Sequence, residues 1–155
     1  MGRTADYSRQ SCSVAATLEV IGDPWTMLVI RDAFNGVSRS EQWQERLGVA
    51  RNVLAARLKS LVHHGVLEPR PYSERPPRNE YVLTAKGKDL YGVLVTLHAW
   101  GEKHVYGDEP SGIVLRHKTC GHDLKPRIAC GCCNEMVRPR EVEAVFTENR
   151  PTVGE

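Results

Sequence analysis

Apolar positions recur along this chain with two periods, and the change of period marks a change of backbone. Leu54, Leu58, Leu61 and Val62 fall on one face at helical spacing, and Gly65 supplies a stop. At about 100° per residue, Asn52, Ala55, Ala56 and Lys59 then lie on the opposite side, a low-bulk polar surface of the kind a DNA major groove admits. From Val66 the period falls to two: residues 66–70, rising to Tyr72, read as one strand and residues 79–83 as its return. Between them, Ser-Glu-Arg-Pro-Pro-Arg predicts a stiffened tip in which Arg75 and Arg78 are long cations that folding does not require.

The flanking pattern is helical. Ser11 is a candidate cap for a helix over 12–21, with Val14, Leu18 and Ile21 as its apolar stripe. Asp23 and Pro24 predict an N-cap and first helical residue for a helix over 24–34, with Trp25, Leu28, Val29 and Ala33 as core and Asn35-Gly36 as its end. Ser38 or Ser40 begins a short third helix with Trp43 and Leu47 facing in, and Gly48-Val49 turns into the helix of Leu54 and Leu58. After Thr84, a plausible cap, residues 85–105 predict the longest helix, apolar at Leu90, Val93, Leu94, Leu97, Trp100 and Val105. That arc is wide for a helix serving one domain, so a partner subunit or the monomer's own core must cover it. Helix, turn, second helix, Pro-Arg hairpin, long helix is the order of a winged helix-turn-helix. The expected fold is mainly α with a small β-hairpin, followed by a small cysteine-rich, β-containing subdomain.

Charge sharpens this picture. Residues 39–88 hold ten Lys or Arg against five Glu and no Asp, a net +5, whereas the whole chain is only +2. Positive charge is therefore concentrated where a DNA contact is expected. Arg51, Asn52, Ala55, Ala56 and Lys59 are the candidate major-groove residues. Arg75 and Arg78 on the wing suit phosphate or minor-groove contact, and Arg39 stands where a helix start holds phosphate. A helix plus hairpin with solubilising surface arginines is the plain alternative. The 155-residue length suits one domain with an appendage, no apolar run nears the roughly 20 residues of a membrane span, and the polar N-terminus lacks a signal-peptide core. Cytoplasmic localisation, without membrane association, is expected.

Domain punctuation follows composition: a DNA-binding and dimerisation domain over 8–106, a breaker-rich linker over 107–112, a cysteine-rich subdomain over 113–147 opened by a strand at Ile113-Val114-Leu115, and a tail over 148–155. The subdomain carries Cys120, Cys130, Cys132 and Cys133. Cys130 and Cys133 form a C-x-x-C pair able to hold one tetrahedral zinc, with Cys120 as third ligand and His117 as fourth; His122 and Cys132 are alternative ligands. Zinc would be structural and is not required for DNA binding. Reduced structural thiols or a redox-responsive pair are the other readings. Cys12 falls at a helix start, where amides and dipole lower a thiol's pKa and raise its reactivity; a small packed side chain is the alternative.

No nucleophile-base-acid set can be assembled from the six scattered histidines, so no enzyme is expected. A thiol oxidoreductase on Cys130 and Cys133 lacks the βαβ setting. The remaining alternative is an adaptor whose winged helix binds protein and whose tail binds RNA or a partner.

Four segments resemble the HxlR-type regulators, bacterial winged-helix transcription factors related to the MarR group. They are Cys12 with the helix to Ile21; Gly22-Asp23-Pro24-Trp25-Thr26; GVARNVLAARLKSLVHHGVLE; and the run from Tyr72 through PPRNEYVLTAKG to Ala99-Trp100-Gly101. Together they cover about residues 8–106 in one register. Ser40 stands where the family tends to have an aromatic, and Asn79 where Tyr is frequent. The resemblance implies a homodimer with paired terminal helices, double-stranded DNA carrying a palindromic operator as partner, and half-sites about one turn, roughly 34–36 Å, apart. It also implies that Cys12 matches the cysteine of the family's redox-sensing branch, making an oxidant or small molecule the candidate effector. The tail resembles that of some members. Repression is the expected mode, because a compact domain acts by occupying a promoter.

Overall fold

In the computed structural model, which describes residues 12–145, helix boundaries follow local cap chemistry. Helix α1, Ser13–Ile21, starts at Cys12, whose extended backbone makes it the N-cap; Ser11 lies outside the described residues. Helix α2, Pro24–Phe34, begins as expected: the Asp23 side chain accepts the Trp25 N–H at 3.0 Å and Pro24 occupies the first turn, where its missing N–H costs nothing. Helix α3, Ser40–Leu47, starts after Arg39, and Gln42 Oε1 reaches back to accept the Arg39 N–H at 3.0 Å. Helix α4 is Arg51–His63.

Strands β1, Leu67–Glu74, and β2, Pro77–Leu83, pair antiparallel from Leu67 opposite Leu83 outward. They run further into the Ser-Glu-Arg-Pro-Pro-Arg segment than expected, leaving only Arg75 and Pro76 as the tip. The prolines are tolerated for a geometric reason. Tyr81 sits opposite Pro69, and its N–H points away from β1 to the Ser38 carbonyl at 2.7 Å. The pair is therefore not hydrogen-bonded, and Pro69 forfeits no ladder bond.

Trp43, Ile30, Leu61, Leu67, Val29 and Val66 are fully buried and form, with Leu54 and Leu58, the core that α2, α3, α4 and β1 share. Each contributes roughly 1.5–3 kcal/mol by burial. Trp43 Nε1–H donates to the Val29 carbonyl at 3.1 Å, so the indole fills space without an orphaned donor. Of the residues expected inside on α2, Val29 is buried while Trp25, Leu28 and Ala33 are half-buried; Ile30 carries the depth instead.

Helix α5, Ala85–Asp89, is tied to the strand start. Thr84 Oγ1 donates to the Gly65 carbonyl at 2.6 Å and accepts from the Gly87 N–H at 3.0 Å. Gly87 passes so close to the sheet that a Cβ there would stand 2.2 Å from the Val66 carbonyl. The helix expected over 85–105 is broken at Leu90, whose N–H turns to the Gly87 carbonyl at 3.2 Å. Helix α6, Tyr91–Gly101, follows and ends in a wide π turn, Glu102–Tyr106.

The described residues fall into two compact units, divided between Tyr91 and Gly92. This boundary lies inside the region expected to form one domain over 8–106 and places most of α6 with the cysteine-rich segment. Residues 8–11 and 146–155 lie outside the described residues. In the second unit, residues 113–115 form no strand: the Leu115 carbonyl accepts the Leu124 N–H, but regular pairing is limited to the single Arg116–Asp123 bridge. Two isolated antiparallel bridges, Arg116 with Asp123 and Ala129 with Met136, and a 3₁₀ turn at Pro139–Glu141 are its regular features after the π turn. Among the described residues no single helix is long and apolar enough to cross a membrane; α1 and α2 pass that test only jointly and are bent 77° apart.

Candidate nucleic-acid interface

Helix α4 is divided lengthwise. Leu54, Leu58 and Leu61 are buried, and the five residues proposed from sequence, Arg51, Asn52, Ala55, Ala56 and Lys59, are all exposed on the other side. Two hollows flank this exposed strip. One, of about 610 Å³, lies between α3, α4 and the wing and gathers Arg51, Ala55, Lys59 and Arg78, with Ser40 and Gln44 on its far wall. The other, of about 420 Å³, lies between α4 and the start of α2 and takes Asn52 and Ala56. The expected residues are thus brought together along one helix but face two grooves, and only the first joins helix to wing.

Tyr72 organises the wing's cations, and the sequence reading gave it no such part. The strand register slips between Pro71 and Ser73, making Tyr72 the extra residue of a bulge, a device that re-aims a side chain. The Arg39 guanidinium lies over its ring, 4.3 Å from the centroid. A hydrogen bond with the Tyr72 phenol, and Glu41 at 4.0 Å, hold Arg78 above the ordinary guanidinium pKa. Arg39 and Arg78 are therefore positioned cations on an exposed surface, held by one aromatic. Arg75 sits exposed at the hairpin tip. The bulge gives no sequence signal, but a Tyr between two arginine-bearing segments was available as one.

Three further ion pairs support the helices that present this surface. Asp32 on α2 is fully buried; Arg31 pairs with it at 2.9 Å and Arg46 of α3 reaches it at 3.4 Å. The charged acceptor is paired from both sides, as a buried carboxylate must be. Arg57 of α4 pairs with the Asp23 cap of α2 at 3.1 Å. Asp32 follows Val29 by three positions and so shares the buried face of α2, a legible cue that a charged residue there needed partners.

Cys12 is exposed. Its thiol makes no cap hydrogen bond of normal geometry, yet the backbone amides of Ala15 and Val14 pull its pKa below the ordinary thiol value. In the second unit, His117 Nδ1 lies 3.2 Å from Cys120 Sγ, and the Cys130 thiol is lowered by hydrogen bonds from the amides of Cys133 and then Cys132. His122 and Cys132 are exposed.

A two-helix turn motif, a buttressing helix and a cationic wing define a winged helix-turn-helix, the class of a transcriptional regulator. The model of the HxlR-like helix-turn-helix family matches residues 20–109, and the chain belongs to that family. It is 42% identical over 130 residues to the uncharacterised HTH-type transcriptional regulator Rv3095 of Mycobacterium tuberculosis, covering 84% of this chain and 82% of the relative. The crystal structure of PA1607, assigned as a transcription factor, is similar with a TM-score of 0.81 at 36% identity, over 91% of this chain and 99% of the other. The redox regulator HypR in its reduced form is similar over 59% of this chain and 92% of its own, with a TM-score of 0.56 at 27% identity.

Proposed function

We propose that the protein is a homodimeric repressor that reads a palindromic duplex operator with α4 in the major groove and its wing on the backbone or adjacent minor groove. The observation that carries this reading is the exposed strip of α4 beside positioned wing cations. Small side chains at Ala55 and Ala56 let the helix approach base edges, while Arg51, Asn52 and Lys59 supply donors to bases or phosphates. Arg78 borders that strip, and Arg39 and Arg75 add sequence-independent positive charge. Dimerisation is supported by apolar side chains left in solvent: Val14 on α1, and Tyr91, Leu97 and Trp100 on α6, with Trp100 60% exposed. A two-fold pair places two recognition helices about one DNA turn, roughly 34–36 Å, apart.

An oxidant response through Cys12 fits the same reading. Its exposed, amide-lowered thiol and the likeness to a redox regulator both favour it. The Cys130–Cys133 pair is given no catalytic role.

Selection from a random duplex pool by the reduced protein, near physiological salt, tests this function. The expected result is enrichment of an inverted repeat with half-sites about one turn apart. Folded protein that enriches no sequence with any effector or oxidant, yet captures RNA or protein, would replace the regulator by the adaptor.

A further inference from the structure

The second unit contains a structural repeat that its sequence conceals. In its first copy, Leu124 N–H donates to the Leu115 carbonyl at 2.7 Å, Arg116 bridges Asp123, His117 N–H donates to the His122 carbonyl at 2.9 Å, and Gly121 N–H donates to the His117 carbonyl at 2.8 Å. Shifting residue 115 to 128 reproduces every step. Val137 N–H donates to the Ile128 carbonyl at 3.0 Å, Ala129 bridges Met136, Cys130 N–H donates to Glu135 at 2.9 Å, and Asn134 N–H donates to Cys130 at 2.9 Å. The register lays His117 on Cys130, Cys120 on Cys133 and Gly121 on Asn134. Gly121 and Asn134 both take the left-handed backbone, with φ of 71° and 60°, and Asn134 does so despite carrying a side chain.

Each copy therefore presents a pair of soft donors at its first and fourth turn positions. In the first, His117 Nδ1 and Cys120 Sγ stand 3.2 Å apart, near the roughly 3.5 Å edge of a tetrahedral site built with Zn–S of about 2.3 Å and Zn–N of about 2.0–2.1 Å. In the second, Asn134 N–H donates to the Cys130 carbonyl at 2.9 Å and closes the same turn, so Cys130 and Cys133 take the positions that His117 and Cys120 hold in the first. A second observation is independent of the donors: past Tyr91, Val95 of α6 is the one buried apolar side chain among the described residues, while Ile113, Ile128 and Met136 are exposed. Two ordered turns without a core of their own need another clasp, and small domains of this kind use a metal.

We propose that His117, Cys120, Cys130 and Cys133 bind one zinc ion as a Cys3His site, one pair from each turn. Among the described residues no three His, Cys, Asp or Glu side chains meet at one metal-binding point; the ion itself draws the two pairs together. The three thiols give up their protons to solvent, so with Zn²⁺ and a neutral His117 the site carries a single negative charge. The repeat also separates ligands from neighbours. Cys132 takes the third turn position, which Thr119 fills in the first copy, and His122 matches Glu135, whose role is a backbone carbonyl.

The test is metal content of the reduced full-length protein by mass spectrometry after growth with zinc. One zinc per chain is expected, retained in Cys132→Ser and His122→Ala and lost at least tenfold in Cys120→Ser and Cys133→Ser. His117→Cys guards against loss through misfolding: it should keep the metal, and on Co²⁺ loading its spectrum should move from three thiolates to four. Metal-free wild type, or metal lost in Cys132→Ser but kept in Cys133→Ser, would overturn the site. So would a His117→Cys protein whose cobalt spectrum is that of the wild type.

Discussion

The two units of this chain are ordered by different forces. The first closes around Trp43, Ile30 and Leu61. Its hydrogen bonds mostly serve helices, one hairpin and the seats of buried polar atoms. The second has isolated bridges and repeated turns in place of a core, and its hydrogen bonds, from backbone and side chain alike, join residues close in sequence. Side-chain burial scales with area and makes the first unit sensitive to lost volume. Turn geometry is indifferent to most side chains, which is how sequences sharing little beyond Cys120 and Cys133 adopt one hydrogen-bond pattern.

That contrast can be broken most severely at Trp43. Trp43→Ala should cost about 3–5 kcal/mol in the unfolding of the first unit, measured by urea titration, while the metal content of the second unit stays unchanged. Joint loss would mean that the two units do not stand on separate forces. Gly87→Ala drives a methyl group into the Val66 carbonyl; a destabilisation of about 1–3 kcal/mol is expected from overpacking, and an unchanged urea midpoint would show that the approach can relax.

Within the first unit, the surface strip should behave oppositely to the core. Asn52→Ala should leave the urea midpoint alone and relax specificity at one position of each half-site by about 1–3 kcal/mol, read by repeating the duplex selection. Arg78→Ala should weaken binding across sequences and lower the salt slope by about one; unchanged affinity and slope would take the wing off the DNA. The mildest effect concerns Cys12. Because its pKa is lowered, its thiolate persists to lower pH than that of a free cysteine, so alkylation followed by peptide mass spectrometry should reach half its maximal rate at a lower pH. A midpoint at the ordinary thiol value would remove the chemical basis for sensing.

Legibility in the sequence divided along the same line. Asp23-Pro24 marks the α2 start because capping is a local matter, and the leucine repeat of α4 marks its inner face because burial has a period. The exposed strip followed from that face by subtraction. Tertiary events were hidden: the strand over 66–70 was expected, but why Pro69 fits it shows only in the bond from Tyr81 to Ser38, and the break at Leu90 falls beside the close approach of Gly87 to Val66. The bulge at Tyr72, which places Arg39 and Arg78, has no periodic trace either. In the tail the cysteine spacing marked candidate chemistry and put His117 ahead of His122; the backbone repeat adds a physical reason for that order which the spacing does not carry.

Hydroxyl-radical footprinting of a selected operator tests the central claim most directly. The expected pattern is two protected patches on one face of the duplex, about one turn apart, with flanking protection that disappears in Arg78→Ala. A single patch, or protection unaffected by substitutions at both Asn52 and Arg78, would contradict a two-fold complex made through α4 and the wing.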